Sequence, residues 1–147
     1  MKAFFAFVVF GVVFAVCMAA IAPEQRHEFE QKLIDECKGP SHANEDEIKS
    51  LQNHEVPQTH NGKCLLACIQ EKLGILVDGK LSVEGAKAIG AKKHEGNPKN
   101  TALFYEMVDE CQTVADPDRC EAATKFMGCM VNAAVKRGVD PKEGLKD

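Results

Sequence analysis

Six cysteines behind an apolar leader constrain this chain more than any other feature. Of the seven cysteines present, Cys17 lies in the leader, which leaves Cys37, Cys64, Cys68, Cys111, Cys120 and Cys129. The leader opens with one positive charge at Lys2, continues as an almost unbroken apolar run from Ala3 to Val16, and ends in small residues at Cys17, Ala19, Ala20 and Ala22. A positive start, an apolar middle and a small-residue exit mark a secretory signal peptide. Residues 1–19 are therefore assigned to a signal peptide, cleaved between residues 19 and 22, and residues 23–147 to a single domain. The apolar run is nearly long enough to span a bilayer, but its exit and the cysteines beyond it favour removal over stable membrane insertion. An even number of cysteines delivered to an oxidising compartment implies three disulfides.

Six cysteines allow 15 pairings. Cys120 and Cys129 fall in one helical segment, roughly 13 Å apart at the helical rise, whereas a disulfide needs Cα atoms within about 7 Å. Cys64 and Cys68 stand at i and i+4 with nearly parallel Cβ directions, so each reaches outward to a different helix. Excluding both pairs leaves 10 of the 15 pairings open, since three contain each pair and one contains both. Zinc is the competing use of cysteine. The x₃ gap is at the edge of zinc-knuckle spacing, but two x₈ gaps within helices do not build a second knuckle.

Apolar residues recur at helical spacing in six segments and nowhere alternate long enough to make a sheet. The first runs from Glu24 to Lys38 through Phe29, Leu33, Ile34 and Cys37, and is expected to stop at Gly39-Pro40. Asn44 is the expected cap of a short helix opening Glu45-Asp46-Glu47, with Ile48 and Leu51 inward. Asn61 is the expected cap of a helix from Gly62 to Leu73 that carries Leu65, Leu66, Ile69 and Leu73. Asp78-Gly79 makes a turn, and Ile75-Leu76-Val77 is too short a strand to matter. Ser82 caps a helix reaching Lys93, with Val83, Ala86 and Ile89 inward. Asn97-Pro98 is expected to break the chain before a helix from Thr101 to Gln112, which buries Phe104, Met107, Val108 and Cys111. Asp116-Pro117 is expected to start the longest helix with Pro at its first position; it holds Cys120, Ala123, Met127, Met130, Val131 and Ala134 and ends at Arg137-Gly138. The charged tail from Val139 to Asp147 is expected to fray. The fold class is all-α: a bundle of about six helices stapled by three disulfides.

Composition excludes several functions. Without the leader, 17 basic residues face 22 acidic ones, a net charge of about −5, which repels phosphate backbones, so no nucleic-acid partner is expected. No G-x-S-x-G elbow, H-E-x-x-H pair or glycine-rich phosphate loop occurs, so no catalytic residues are assigned. No metal or cofactor is expected: aligned on Gly79, a calcium loop would need ligands at Gly74, Leu76 and Gly85. The five histidines (His27, His42, His54, His60 and His94) read as solvated residues of loops and polar helix faces. Met107, Met127 and Met130 suit either an ordinary core or an adaptable pocket wall.

The spacing Cys37-x₂₆-Cys64-x₃-Cys68-x₄₂-Cys111-x₈-Cys120-x₈-Cys129, on helices behind a signal peptide, resembles the six-cysteine pattern of insect odorant-binding proteins, the pheromone/general odorant-binding family. The x₃ gap and the final x₈ gap are its most specific features. The resemblance implies bridges Cys37–Cys68, Cys64–Cys120 and Cys111–Cys129, tying the first helix to the third, the third to the sixth and the fifth to the sixth. It also implies an internal apolar cavity that carries a small hydrophobic ligand, an odorant or pheromone, through aqueous fluid to an olfactory receptor. The expected wall is Leu51, Leu66, Ile69, Leu73, Val83, Ile89, Phe104, Met107, Val108, Phe126, Met127 and Met130. Such a protein would be secreted into sensillar lymph or another body fluid, as a monomer or weak homodimer. A scavenger of lipids or small amines in haemolymph, saliva or reproductive fluid would use the same fold, and a solid-core secreted defence or structural protein the same cysteines. In some relatives a C-terminal segment plugs the pocket, but this tail offers only Val139 and Leu145 as apolar anchors and is expected to plug poorly.

Overall fold

A computed structural model describes residues 23–145; the signal-peptide assignment lies outside them. The chain divides into two units between Lys32 and Leu33. In the first, residues 23–32 are helical; the second holds every cysteine bridge and every buried apolar cluster named below. Among the described residues there are six helices and one two-stranded hairpin.

Helix α1 spans Pro23–Ser41 and so overruns the expected stop at Gly39-Pro40. A proline in the last turn removes one donor from the ladder. Here the Ser41 hydroxyl adds a donor to that turn, bonding the Cys37 carbonyl at 2.8 Å and the Lys38 carbonyl at 3.3 Å. Helix α2 (Glu45–Gln52) begins at the expected Asn44 cap, with a reciprocal capping box. The Glu47 amide donates to Asn44 at 2.9 Å, and the Asn44 amide donates to the Glu47 carboxylate at 2.8 Å.

Helix α3 (His60–Lys72) starts two residues before the expected Gly62, because its cap is Thr59 rather than Asn61. Thr59 has extended backbone, and its hydroxyl accepts from the Gly62 amide at 3.1 Å while donating to the Glu47 carboxylate. Asn61 is helical, and its side chain donates instead to the His42 carbonyl at 3.1 Å. Strands β1 (Leu76–Val77) and β2 (Lys80–Leu81) pair antiparallel around Asp78-Gly79. Both turn residues have positive φ, +51° and +71°, the conformation a two-residue hairpin requires. The hairpin matters more than its length suggested, because Leu76 is buried in the core.

Helix α4 (Val83–Lys93) starts at the expected Ser82 cap. Its first turn presses so closely on the end of the α3 loop that a Cβ on Gly85 would collide with the Gly74 carbonyl. Helix α5 (Pro98–Glu110) starts three residues before the expected Thr101. Asn97-Pro98 is an opening rather than a break: the Asn97 side chain accepts from the Asn100 amide at 3.0 Å, and proline lacks only an N–H that the first turn leaves unpaired. Helix α6 (Arg119–Lys136) is capped by Asp118, two residues beyond the expected Asp116. Asp118 accepts from the Cys120 and Glu121 amides, while Asp116 accepts from the Asp118 amide at 2.8 Å and forms the turn before the helix.

The expectation of a fraying tail is also corrected. Through Leu145 the tail folds back, and Val139 and Leu145 pack on the cluster of Met107, Ala133 and Ala134. The Gly144 amide closes this turn on the Asp140 carbonyl at 2.8 Å.

Candidate ligand-binding site

The three bridges fix the frame of the site. Cys37 and Cys68 join α1 to α3 with Cα atoms 5.7 Å apart, Cys64 and Cys120 join α3 to α6 at 4.5 Å, and Cys111 and Cys129 join the end of α5 to α6 at 5.9 Å. This pairing is the one the family resemblance implies. The α3–α6 seam closes tightly because its residues are small: Ala67 and Ala123 are fully buried and Ala122 nearly so. Outside the seam, Lys63–Glu121 at 2.9 Å and Arg119–Glu71 at 2.6 Å tie the same helices at the surface, where such pairs contribute little.

Four apolar clusters fill the second unit, and ten of the twelve expected wall residues belong to them. Leu66 is buried with Ala67, Leu76 and Ala123, and Leu51 and Met127 pack on that group. Ile69 packs on the group of Ile34, Cys37, Ile48 and Leu65, again with Leu51. Val108 and Phe126 are buried together, flanked by Val83, Phe104 and Met130. Met107 lies in the fourth cluster, which shares Phe104 and Met130 with the third. Leu73 and Ile89 are half-buried and stand outside these groups. The expected wall is thus drawn from α2 through α6 in two groups, one joined through Leu51 and the other through Phe104 and Met130. Leu66, Met107, Val108 and Phe126 are buried, whereas the other eight remain half-buried.

The polar residues of this region are few. His94 caps the C-terminus of α4 and is only 7 % exposed, its ring centroid 5.7 Å from that of Phe104. This corrects its reading as a solvated residue: the close turn between α4 and α5 folds it inward. His27, His42, His54 and His60 are exposed as expected. Gln70, not singled out from the sequence, is buried at the α3–α6 seam, where its Nε2 donates to the Ala123 carbonyl at 3.3 Å. The signal was present. Leu66, Gln70 and Leu73 stand at i, i+4 and i+7, so one amide interrupts an apolar stripe.

A separate cleft of about 390 Å³ opens where α4 meets α5, lined by Ala91, His94, Glu95, Gly96, Pro98, Thr101, Ala102 and Tyr105. None of the twelve expected wall residues lines it. No group of three or more His, Cys, Asp or Glu side chains suited to a metal ion occurs among the described residues. No helix among them is long and apolar enough to cross a membrane.

A six-cysteine, three-bridge shell of short helices around adaptable apolar walls defines a class of small-molecule binding proteins. Residues 19–133 match the PBP/GOBP family, and the chain belongs to that family. It is 28 % identical over 136 residues to general odorant-binding protein 19d of Drosophila melanogaster, covering 87 % of this chain and 89 % of that protein. Its fold is similar to the solved structure of the odorant-binding protein OBP28a of Drosophila melanogaster, with a TM-score of 0.67 at 26 % identity over 74 % of this chain and 92 % of the other. The fatty acid binding protein OBP56a from the oral disk of the blowfly Phormia regina is similar too, with a TM-score of 0.61 at 25 % identity over 78 % and 96 % of the two chains.

Proposed function

We propose that the protein is a secreted carrier that takes up a small hydrophobic molecule among its helices and moves it through aqueous fluid. The observation that carries this reading is the half-burial of eight of the twelve wall residues within a frame that three bridges hold closed. These part-buried side chains leave apolar surface that a guest among the helices would cover. Family membership and the blowfly relative, named for fatty acid binding, support a hydrophobic guest.

The bridges would let a small domain tolerate a loosely filled interior. Loops closed over 31, 56 and 18 residues remove unfolded-state entropy equivalent to about 3 to 4 kcal/mol each. A cavity costs on the order of 24 cal/mol per Å³, which such links offset. A guest burying roughly 300 Å² of apolar surface gains about 7.5 kcal/mol before association costs, in keeping with micromolar binding. The leader directs the chain outside the cell, and odorants or pheromones bound for an olfactory receptor are the cargo that the family suggests. No reaction is proposed.

The test is competition against a fluorescent apolar probe, with native mass spectrometry of protein from its source to weigh what it carries. Displacement by small hydrophobes at micromolar concentration is the expected result. A protein that binds neither probe nor hydrophobe has a filled interior, and the carrier reading fails.

A further inference from the structure

Gln70 is only 6 % exposed, and its two amide ends have unequal fates. The nitrogen donates to the Ala123 carbonyl at 3.3 Å, while among the described residues the Oε1 oxygen has no hydrogen-bond partner. Reversing the amide would set oxygen against the Ala123 carbonyl oxygen, so the network itself assigns the ends. A buried acceptor without a donor is costly and rare in native proteins. Its neighbours along the helices are apolar: Leu66 on α3 and Leu73 at its C-cap stand a turn to either side, and Phe126 and Met127 follow a turn beyond Ala123 on α6. Apolar pockets that select their guests do so with very few polar groups.

We propose that Gln70 is the polar recognition point of the interior, its Oε1 accepting a hydrogen bond from a hydroxyl on an otherwise apolar guest. This inference rests on the carrier reading above. It singles out aliphatic alcohols. A hydrocarbon, ether or ester has no proton to give, and an ionised carboxylate presents only acceptors. A protonated amine could donate, but would carry an unpaired charge into an apolar interior.

The experiment compares dodecanol with undecyl methyl ether, which has the same heavy atoms but no donor, as competitors of the fluorescent probe. On the wild-type protein the alcohol is expected to bind about tenfold more tightly, the worth of one desolvated hydrogen bond. Gln70→Met keeps the side-chain volume and removes the acceptor. It should bring the ratio close to one and raise the melting temperature. A readout free of any variant is the Gln70 side-chain amide resonance of the wild-type protein, which should shift on adding the alcohol and stay in place with the ether. Equal affinity of the two compounds for the wild-type protein, an unchanged ratio in the variant, or an amide signal indifferent to the alcohol overturns the assignment. Failure of both compounds and the probe to bind defeats the carrier reading instead.

Discussion

Gly90 of α4 and Phe104 of α5 compete for one space: a Cβ added to Gly90 would fall within the Phe104 ring. The two helices cross closely because one offers no side chain where the other offers a flat one. Phe104 in turn belongs to two of the four apolar clusters, so the crossing sets the position of part of the wall.

Gly90→Ala should therefore destabilise the protein, although alanine favours a helix over glycine by about 1 kcal/mol. Overpacking costs about 1–3 kcal/mol and displaces the ring. Urea unfolding measures the loss, and Phe104→Leu in the same chain should recover part of it. A more stable Gly90→Ala variant would show that the ring moves aside freely.

Removing the Cys64–Cys120 bridge by paired substitution to serine should cost about 4 kcal/mol, the largest loss among the three bridges. It closes the longest loop, at a separation of 56 residues, and loop-closure entropy grows with loop length. Loss of cooperative thermal unfolding at ambient temperature after mild reduction is the accompanying expectation. Full stability of the reduced protein would mean that packing alone holds the shell.

Met130 distinguishes a hollow interior from a solid one. It is half-buried and touches two clusters. If space lies beside it, Met130→Phe should leave stability within about 0.5 kcal/mol and weaken probe binding severalfold. In a filled core the same change should cost about 1–3 kcal/mol. Denaturant unfolding and probe titration on one sample read both quantities.

Acid should loosen the structure through three surface carboxylates. Hydrogen bonds from Lys136 and Arg137 hold Glu110 below its ordinary value of 4.5. The Lys125 ammonium and the Asp118 amide hold Asp116 below 3.8, and the Thr59 hydroxyl and Asn44 amide lower Glu47. Folding thus makes each group a weaker base than in the unfolded chain. The stability they contribute is complete above their ordinary values and is lost as pH falls through and below them. The melting temperature should stay nearly level from about pH 7 to 5 and decline below about pH 4.5, and Glu110→Gln should shrink the decline. A decline centred near pH 6.5 would point to histidine instead.

Much of the architecture could be read along the chain. Asn44 and Ser82 cap their helices as expected because a cap needs only a side chain and an amide three residues on. The misplaced starts share one cause. Asn61 and Asp116 are favoured capping types and Asn97-Pro98 reads as a break, whereas the structure selects Thr59, Asn97 and Asp118 by backbone conformation and by what the rest of the turn can bond. Helical geometry alone left ten cysteine pairings open; the resemblance to a known spacing pointed to one, and the distances between helices carry it.

The apolar stripes, the turn at Asp78-Gly79 and the six sulfur atoms bespeak a bridged helical shell because each is a matter of a few neighbouring residues. Burial is different, since it depends on what a distant helix sets opposite. His94 is inside because α5 turns back sharply against α4, Val139 and Leu145 pack because α6 ends beside Met107, and Gln70 loses water because Ala123 covers it. No local spacing contains those facts, and they are the ones that shape the interior.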